Sequence, residues 1–427
     1  MNHRLLIGAY ACLVNPGSRV PGGGDIMAWN LVQRLGRVCQ LGVLTAAENR
    51  AAIEAALQRE PLPNVQFHYL DLPGWLRPVL GHQGGVQFDA YLWQWKAYFV
   101  ARKLHRQMGF DAFHHLTYDN DWMASIIGAL LPIPYLRGPG GGAHRTPKAF
   151  LRDYPFRERL WEQVRAIGQW LFRLDPFFML GQRRAKGILV ANREALAAVP
   201  AKLRRKTQLF PLNGVPKEAF GDSVQAATDK GRFQVLTAGR LVRLKAFHLA
   251  MRAFKTFLER NAANGLRDDA ELSIVGEGPE LARLRRLASA LGLEGQVRFE
   301  SWLPQEELWS RMRACDVFIF PSLRDGGGLV VVEAMAAGKP VICADLGGPG
   351  MHVTEQCGIK VQPGSPKQVV ADLATALERL SRDEEERLRM GRAARERAEQ
   401  VYLWDRLADR LLAVYTDVLG FSSGEGK

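Results

Sequence analysis

The sequence predicts an α/β protein with two parallel-sheet domains. Three observations carry this expectation. Short apolar runs alternate with helical stretches along most of the chain, the pattern of parallel strands joined by helical crossovers. At 427 residues the chain is long enough for two or three domains. Polar and small residues at 221–231 interrupt the alternation once near its middle and read as a linker.

The first strand is Arg4-Leu-Leu-Ile-Gly8. A loop leads to Gly22, Gly23 and Gly24, and Asp25 caps a helix running to about Arg37. Leu5 to Val14 is the one signal-like stretch; it is short and followed by Asn-Pro-Gly, so a strand is the better reading. Cys39–Thr45 and Val65–Leu70 are further strands with a helix between them, and Val86–Met108 is a long helix whose aromatic stripe reads as core. Gly109–Asp119 is a strand that ends in polar residues. Ligands of open α/β sheets bind beyond the carboxyl ends of strands, where His114, His115, Thr117, Tyr118 and Asp119 fall. The next strand closes on Gly140, Gly141 and Gly142, with His144 and Arg145 just after. Residues 187–191 form another strand. Past the linker, strand-to-helix units follow at Phe233–Lys245, Ala270–Pro279 and Val297–Pro304. Leu403–Leu419 is an amphipathic helix.

The most informative stretch is 316–350. Asp316-Val-Phe-Ile-Phe320 is an apolar run of strand length, stopped by Pro321-Ser322. Gly326, Gly327 and Gly328 open a helix from Leu329 to Ala337, which Gly338-Lys-Pro340 terminates. A glycine turn at a helix N-terminus presents free amides and the positive end of the dipole, and so suits an anion. Asp325 and Glu333 bracket it, eight residues apart or about two helical turns. Carboxylates beside an anion site suit hydroxyls, such as those of a ribose and a sugar.

The run PS-x-x-x-G-x-G-L-x-x-x-E-A-M-A-x-G-x-P-V-I resembles family 4 of the glycosyltransferases. That family has the GT-B fold, two Rossmann-like parallel-sheet domains facing across a cleft. The resemblance implies an acceptor-binding domain at 1–220, with the helix at 403–420 packing back on it, and a donor-binding domain at 221–402. It places Asp325 and either His114 or His115 at the chemistry. Arg240 and Lys245 would take the donor diphosphate, with Gly326, Gly327, Gly328 and, across the cleft, Gly22, Gly23 and Gly24; a bidentate Arg and a point-charge Lys suit that group. Glu333 would hold the donor ribose. Tyr118, Asp119, Gly140, Gly141, Gly142 and Arg145 would line the cleft. The chain departs from the family pattern at Asp325, usually Glu, at Gly327, often Phe, and at Ala246, usually Gly.

Composition bounds the rest. A hydrophobic content of 47% and a charged content of 24% describe a globular chain, and no apolar run reaches the ~18 residues of a membrane span. Five cysteines without C-x-x-C spacing indicate reduced thiols. Residues 1–220 hold 28 Lys and Arg against 15 Asp and Glu, a net +13, while 221–427 balance at 29 and 29. No nucleic-acid motif accompanies this charge. Basic and aromatic residues interleave over 148–186, which suits an anionic membrane surface; a solvated, partly core-packed helix pair is the plainer alternative. Asp119-Asn-Asp121 has the spacing of a metal-binding acidic pair but reads as helix capping, so no metal and no cofactor are expected. The expected function is a retaining hexosyltransferase. It would move a sugar from a nucleoside-diphosphate sugar to a glycan or lipid-linked glycan in cell-surface polysaccharide synthesis. Its expected location is the cytoplasm, peripheral on the inner face of the membrane. A nucleotide-sugar epimerase of the same fold and a catalytically lapsed sugar-binding scaffold are the alternatives.

Overall fold

The computed structural model of the chain describes residues 3–12, 23–72, 85–117, 122–142, 144–221, 231–265 and 269–421. The chain divides into two compact units. The first comprises residues 1–143, 156–213 and 404–427, the second 144–155 and 214–403.

The sheet of the first unit contains β1 (Arg4–Ala9), β2 (Gln40–Ala46), β3 (Val65–Leu70), β4 (Ala112–Thr117), β5 (Tyr135–Gly140), β6 (Gly187–Val190) and β7 (Thr207–Leu209). Their order is β3-β2-β1-β4-β5-β6-β7, and every pairing is parallel. Both faces of the sheet are covered. On β1, Leu5 and Ile7 join one apolar cluster and Leu6 another, the period-2 alternation of a strand buried on both sides. The helix Trp404–Val414 lays Leu407, Leu411 and Val414 into the first of these clusters, and Arg34 Nε donates to Asp405 Oδ1 at 2.7 Å.

The second unit has β8 (Phe233–Ala238), β9 (Ala270–Val275), β10 (Val297–Glu300), β11 (Val317–Phe320), β12 (Val341–Ala344) and β13 (Gly358–Val361), ordered β10-β9-β8-β11-β12-β13 and again parallel. Residues 214–220 fold with this unit. Val215 N donates to Tyr402 O at 2.8 Å, and Val215, Ala219 and Phe220 share a core with β11 and the helix Leu329–Ala336. Phe150, from the segment 144–155, enters its other core beside Leu241 and Phe247. All five cysteines are buried free thiols. No helix among the described residues is long and apolar enough to cross a membrane.

Both sheets reverse direction of winding once, between β1 and β4 and between β8 and β11. Such switch points are where open α/β sheets bind ligands. In the second unit the loops there are held backbone to backbone. Gly276, after β9, has φ 140°, and a Cβ on it would lie 2.0 Å from the Gly239 carbonyl oxygen after β8. Leu241 N donates to Glu277 O at 2.7 Å. Gly276→Ala would meet rigid backbone in a strained conformation. We expect it to destabilise the second unit by about 1–3 kcal/mol, read as a lowered calorimetric transition.

Candidate active site

The switch point of the second sheet brings together four groups that the sequence set apart. The loop after β8 carries Arg240 and Lys245; the turn after β11 carries Asp325 and the three glycines. Lys245 Nζ pairs with Asp325 Oδ2, and its ammonium also lies 5.0 Å from the centroid of the Phe320 ring. Asp325 Oδ1 accepts from Gly328 N at 2.8 Å and from Gly327 N at 3.2 Å. The amides expected to meet a phosphate therefore meet a carboxylate of the chain itself, which shows that the turn favours an anion. Burial raises the Asp325 carboxyl; Lys245 and the two amides outweigh it and hold it below the ordinary carboxylate range.

Arg240 is exposed, and no hydrogen bond or ion pair engages its guanidinium among the described residues. Ala246 is the one non-glycine residue with positive φ among those described, at φ 55° and ψ 32°. The glycine usual in the resembled family suits that left-handed position; here Ala takes it and keeps the loop that presents Lys245.

Glu333 lies one helical turn into Leu329–Ala336, 4% exposed. Gln305 Nε2 donates to its Oε1 at 2.7 Å. Burial pushes the Glu333 carboxyl up to about 7, against the Trp309 and Gln305 donors beside it.

A second glycine turn supports the first. Gly348 N donates to Asp325 O at 2.9 Å, and a Cβ on Gly347 would sit 2.1 Å from that same oxygen. His352, on the short helix after this turn, has Nε2 2.6 Å from Gly327 O and Nδ1 3.0 Å from the Tyr402 hydroxyl. A carbonyl only accepts, so Nε2 carries the proton and Nδ1 accepts from Tyr402. Gln305, Gly347, Gly348, His352 and Tyr402 escaped the sequence reading, although the Leu346-Gly-Gly-Pro-Gly350 run announces a second tight turn.

The first unit differs from expectation. His114 and His115 lie on β4 but inside the sheet, 0% and 2% exposed. His114 Nε2 is 2.6 Å from Gly138 O and Nδ1 2.7 Å from the Tyr415 hydroxyl, so both ring nitrogens are engaged. His115 Nδ1 meets Ser125 Oγ at 2.8 Å. Burial lowers His114 to about 4; burial, with Arg137 and His114 nearby, lowers His115 to about 3. Neutral, enclosed rings are poor general acids or bases. The expectation places one of them at the chemistry; in this structure both are enclosed, on a strand buried on both faces.

Gly140 ends β5 and lines a cavity of about 140 Å³ with Arg137, Arg173 and Gln182. Gly141 packs close to Ala191 and Leu212, and a Cβ there would lie 2.9 Å from Leu212 Cδ1. Gly142 is partly exposed, and Arg145 is exposed in the segment that folds with the second unit. Gly23 and Gly24 open the helix Gly23–Leu35. Gly22, Tyr118, Asp119 and Asp121 lie outside the described residues.

Residues 222–397 match the family described as glycosyl transferases group 1. The D-inositol 3-phosphate glycosyltransferase of Thermomonospora curvata is 37% identical over 190 residues, 43% of this chain and 42% of that protein. The protein of the same name from Corynebacterium glutamicum is 31% identical over 228 residues, 50% of this chain and 52% of that one. The chain thus spans about half the length of the curated relatives it matches. Among solved structures, sucrose-phosphate synthase from Thermosynechococcus elongatus superposes over 99% of this chain and 100% of its own, with a TM-score of 0.65 at 19% identity. Anabaena HepE in complex with UDP and glucose gives 0.62 at 17% identity, over 97% of this chain and 100% of its own. At such identities what is shared is the GT-B fold.

The raised Glu333 carboxyl gives a pH test. A folded-state value above the ordinary 4.5 contributes stability that is present at low pH and lost as pH rises through about 7. Glu333→Gln carries no such loss. Its thermal midpoint should gain on the wild type between about pH 5 and pH 8, by the equivalent of about 1–3 kcal/mol, as measured by calorimetry across that range.

Proposed function

With a second unit that is a glycosyl transferases group 1 domain, we propose that the chain is a retaining glycosyltransferase of the hexosyltransferase type, taking its sugar from a nucleoside-diphosphate donor. The observation that carries this reading is the switch point of the second sheet, whose loops carry the Lys245–Asp325 pair, Arg240 with no hydrogen bond or ion pair among the described residues, and the Gly326–Gly328 turn that opens the helix bearing buried Glu333. A nucleoside diphosphate presents these same needs in one molecule: two phosphates to neutralise and a ribose whose hydroxyls a carboxylate can accept. HepE, which shares the fold, is solved with UDP and glucose, and supports a donor of this class.

In this reading Arg240 reaches the diphosphate from solvent, and Lys245 divides its charge between Asp325 and the departing phosphate. The Gly327 and Gly328 amides are taken by Asp325, so the helix that this turn opens adds its dipole to the compensation of the leaving group. Glu333 holds the ribose, and Asp325 orients the turn and the transferred sugar. The acceptor hydroxyl attacks from the face the diphosphate leaves, which retains configuration without a protein nucleophile. No metal is assigned a part. Arg145, Gly140, Gly141, Gly142, Tyr118 and Asp119 remain proposed for the cleft between donor and acceptor, Gly22, Gly23 and Gly24 for the donor diphosphate, and either His114 or His115 for the chemistry.

The curated relatives are named for D-inositol 3-phosphate. The basic first half of this chain favours instead a glycan or lipid-linked acceptor of cell-surface polysaccharide, met by a protein peripheral to the cytoplasmic face of a membrane.

Calorimetry with uridine, guanosine and adenosine diphosphate sugars tests the donor site. Arg240→Ala should weaken binding of the preferred donor by about tenfold while leaving the thermal midpoint unchanged, because the side chain is exposed and no hydrogen bond or ion pair engages it among the described residues. Equal affinity in the variant would remove Arg240 from the site. Transfer should survive chelation by EDTA; loss on chelation with rescue by manganese would overturn the metal-free mechanism.

A further inference from the structure

The helix Phe156–Phe172 is amphipathic with its sides reversed. Glu162 and Gln169 lie on its protein side: Glu162 pairs with Arg165 at 3.2 Å, and Gln169 is 5% exposed. Its apolar side faces solvent. Leu160, Val164, Ile167, Leu171 and Leu174 follow one another by four, three, four and three residues, a single stripe along the helix and the turn that follows, and each is between 47% and 60% exposed. Trp161, 68% exposed, and Trp170, 58% exposed, flank the stripe on opposite sides, and Phe156 at its start is 71% exposed. The next helix, Pro176–Arg184, continues the pattern with exposed Met179 and Leu180 followed by Arg183 and Arg184.

We infer that this helix pair is a membrane-docking face that inserts its apolar stripe into the interface of an anionic bilayer. Three observations choose the bilayer over a second copy of the chain. The exposed, mainly apolar arc from Trp170 through the stripe to Trp161, interrupted by Gln163 and Arg157, covers about half the helix circumference, whereas a two-helix seam needs only a narrow stripe. Arg157 is exposed within the arc and Arg159 beside it; a symmetric partner would oppose them with the same cations, while anionic headgroups neutralise them. Indole rings at the margins of an apolar face occupy headgroup depth in a bilayer. The whole net charge of the chain, +13, also lies in the half that carries this face.

The face is built by residues of the first unit and the proposed donor site by residues of the second, and the inference stands whether or not the glycosyl-transfer reading does. It also changes the physics expected from charge alone. Adhesion by cations fails at high salt, where the screening length falls to about 3 Å. Insertion of apolar side chains persists there.

The test uses the full chain and vesicles of phosphatidylcholine with phosphatidylglycerol. The wild type should co-sediment at low and at high salt, with tryptophan emission shifted to the blue and quenched by lipids brominated near the headgroup. Leu160→Glu/Ile167→Glu/Leu171→Glu should lower partitioning by about tenfold or more with unchanged circular dichroism and unchanged donor binding. Arg157→Gln/Arg159→Gln should lower it at low salt only. Three results would each overturn the inference: a wild type that stays in the supernatant, binding that high salt abolishes, or a lipid-free dimer that the triple glutamate variant splits.

Discussion

The site of the second unit depends on one carboxylate. Asp325 is held by Lys245, by the amides of Gly327 and Gly328, and through its backbone oxygen by Gly348. An ionised group with little exposure is costly unless it is paired and hydrogen-bonded, and here both conditions are met. The consequence is geometric. With Asp325 fixed, the glycine turn cannot relax, Lys245 cannot swing into solvent, and Leu329–Ala336 starts at a defined point, which sets the depth of Glu333. Gly347 and Gly348 lack side chains because the Asp325 and Gly327 backbones occupy the space a Cβ would need. Two turns from strands adjacent in the sheet thus interlock, and the anion-binding character of one is tuned by the rigidity of the other.

Much of this was legible because it is local. The strand, the glycines, the helix and its terminator fall within one run, and the dipole argument needs nothing beyond it. The pairing of Lys245 with Asp325 spans 80 residues, and the resemblance reached it only in part, putting Lys245 at the donor diphosphate and Asp325 at the chemistry beside it. Gln305 gave no signal: a single glutamine at the start of a helix has many uses, and only the fold brings it to Glu333. Nor could sequence foretell that His352 bridges Gly327 to Tyr402.

His114 shows a burial that its position did not suggest. Its place near a strand end promised exposure, but a parallel sheet clad on both faces hides alternate residues equally. Its bonding matches that of His352: Nε2 to a glycine carbonyl, Nδ1 to a tyrosine hydroxyl. In each case a neutral imidazole satisfies a glycine carbonyl, in β5 for His114 and in the turn after β11 for His352, and ties it to a tyrosine hydroxyl. A buried carbonyl left without a donor costs on the order of 1–3 kcal/mol, and a histidine held neutral by burial supplies one donor and one acceptor at the same place. These histidines are parts of the frame.

The departures from the family pattern bear on whether the donor site is intact. Ala246 adopts the left-handed conformation that Gly takes without strain, at a cost of roughly 1–2 kcal/mol. The loop keeps its course: Ala246 N still donates to Arg243 O, and the Ala246 methyl group is buried against the core. Asp325 is a methylene shorter than Glu, yet it reaches Lys245 and two amides at once. A lapsed scaffold would be expected to lose the geometry around such substitutions, since nothing would repay the strain. Here the strained residue and the paired carboxylate keep their geometry, and Arg240 stays exposed as the proposed leaving group would need. That coherence favours a working transferase over a relic.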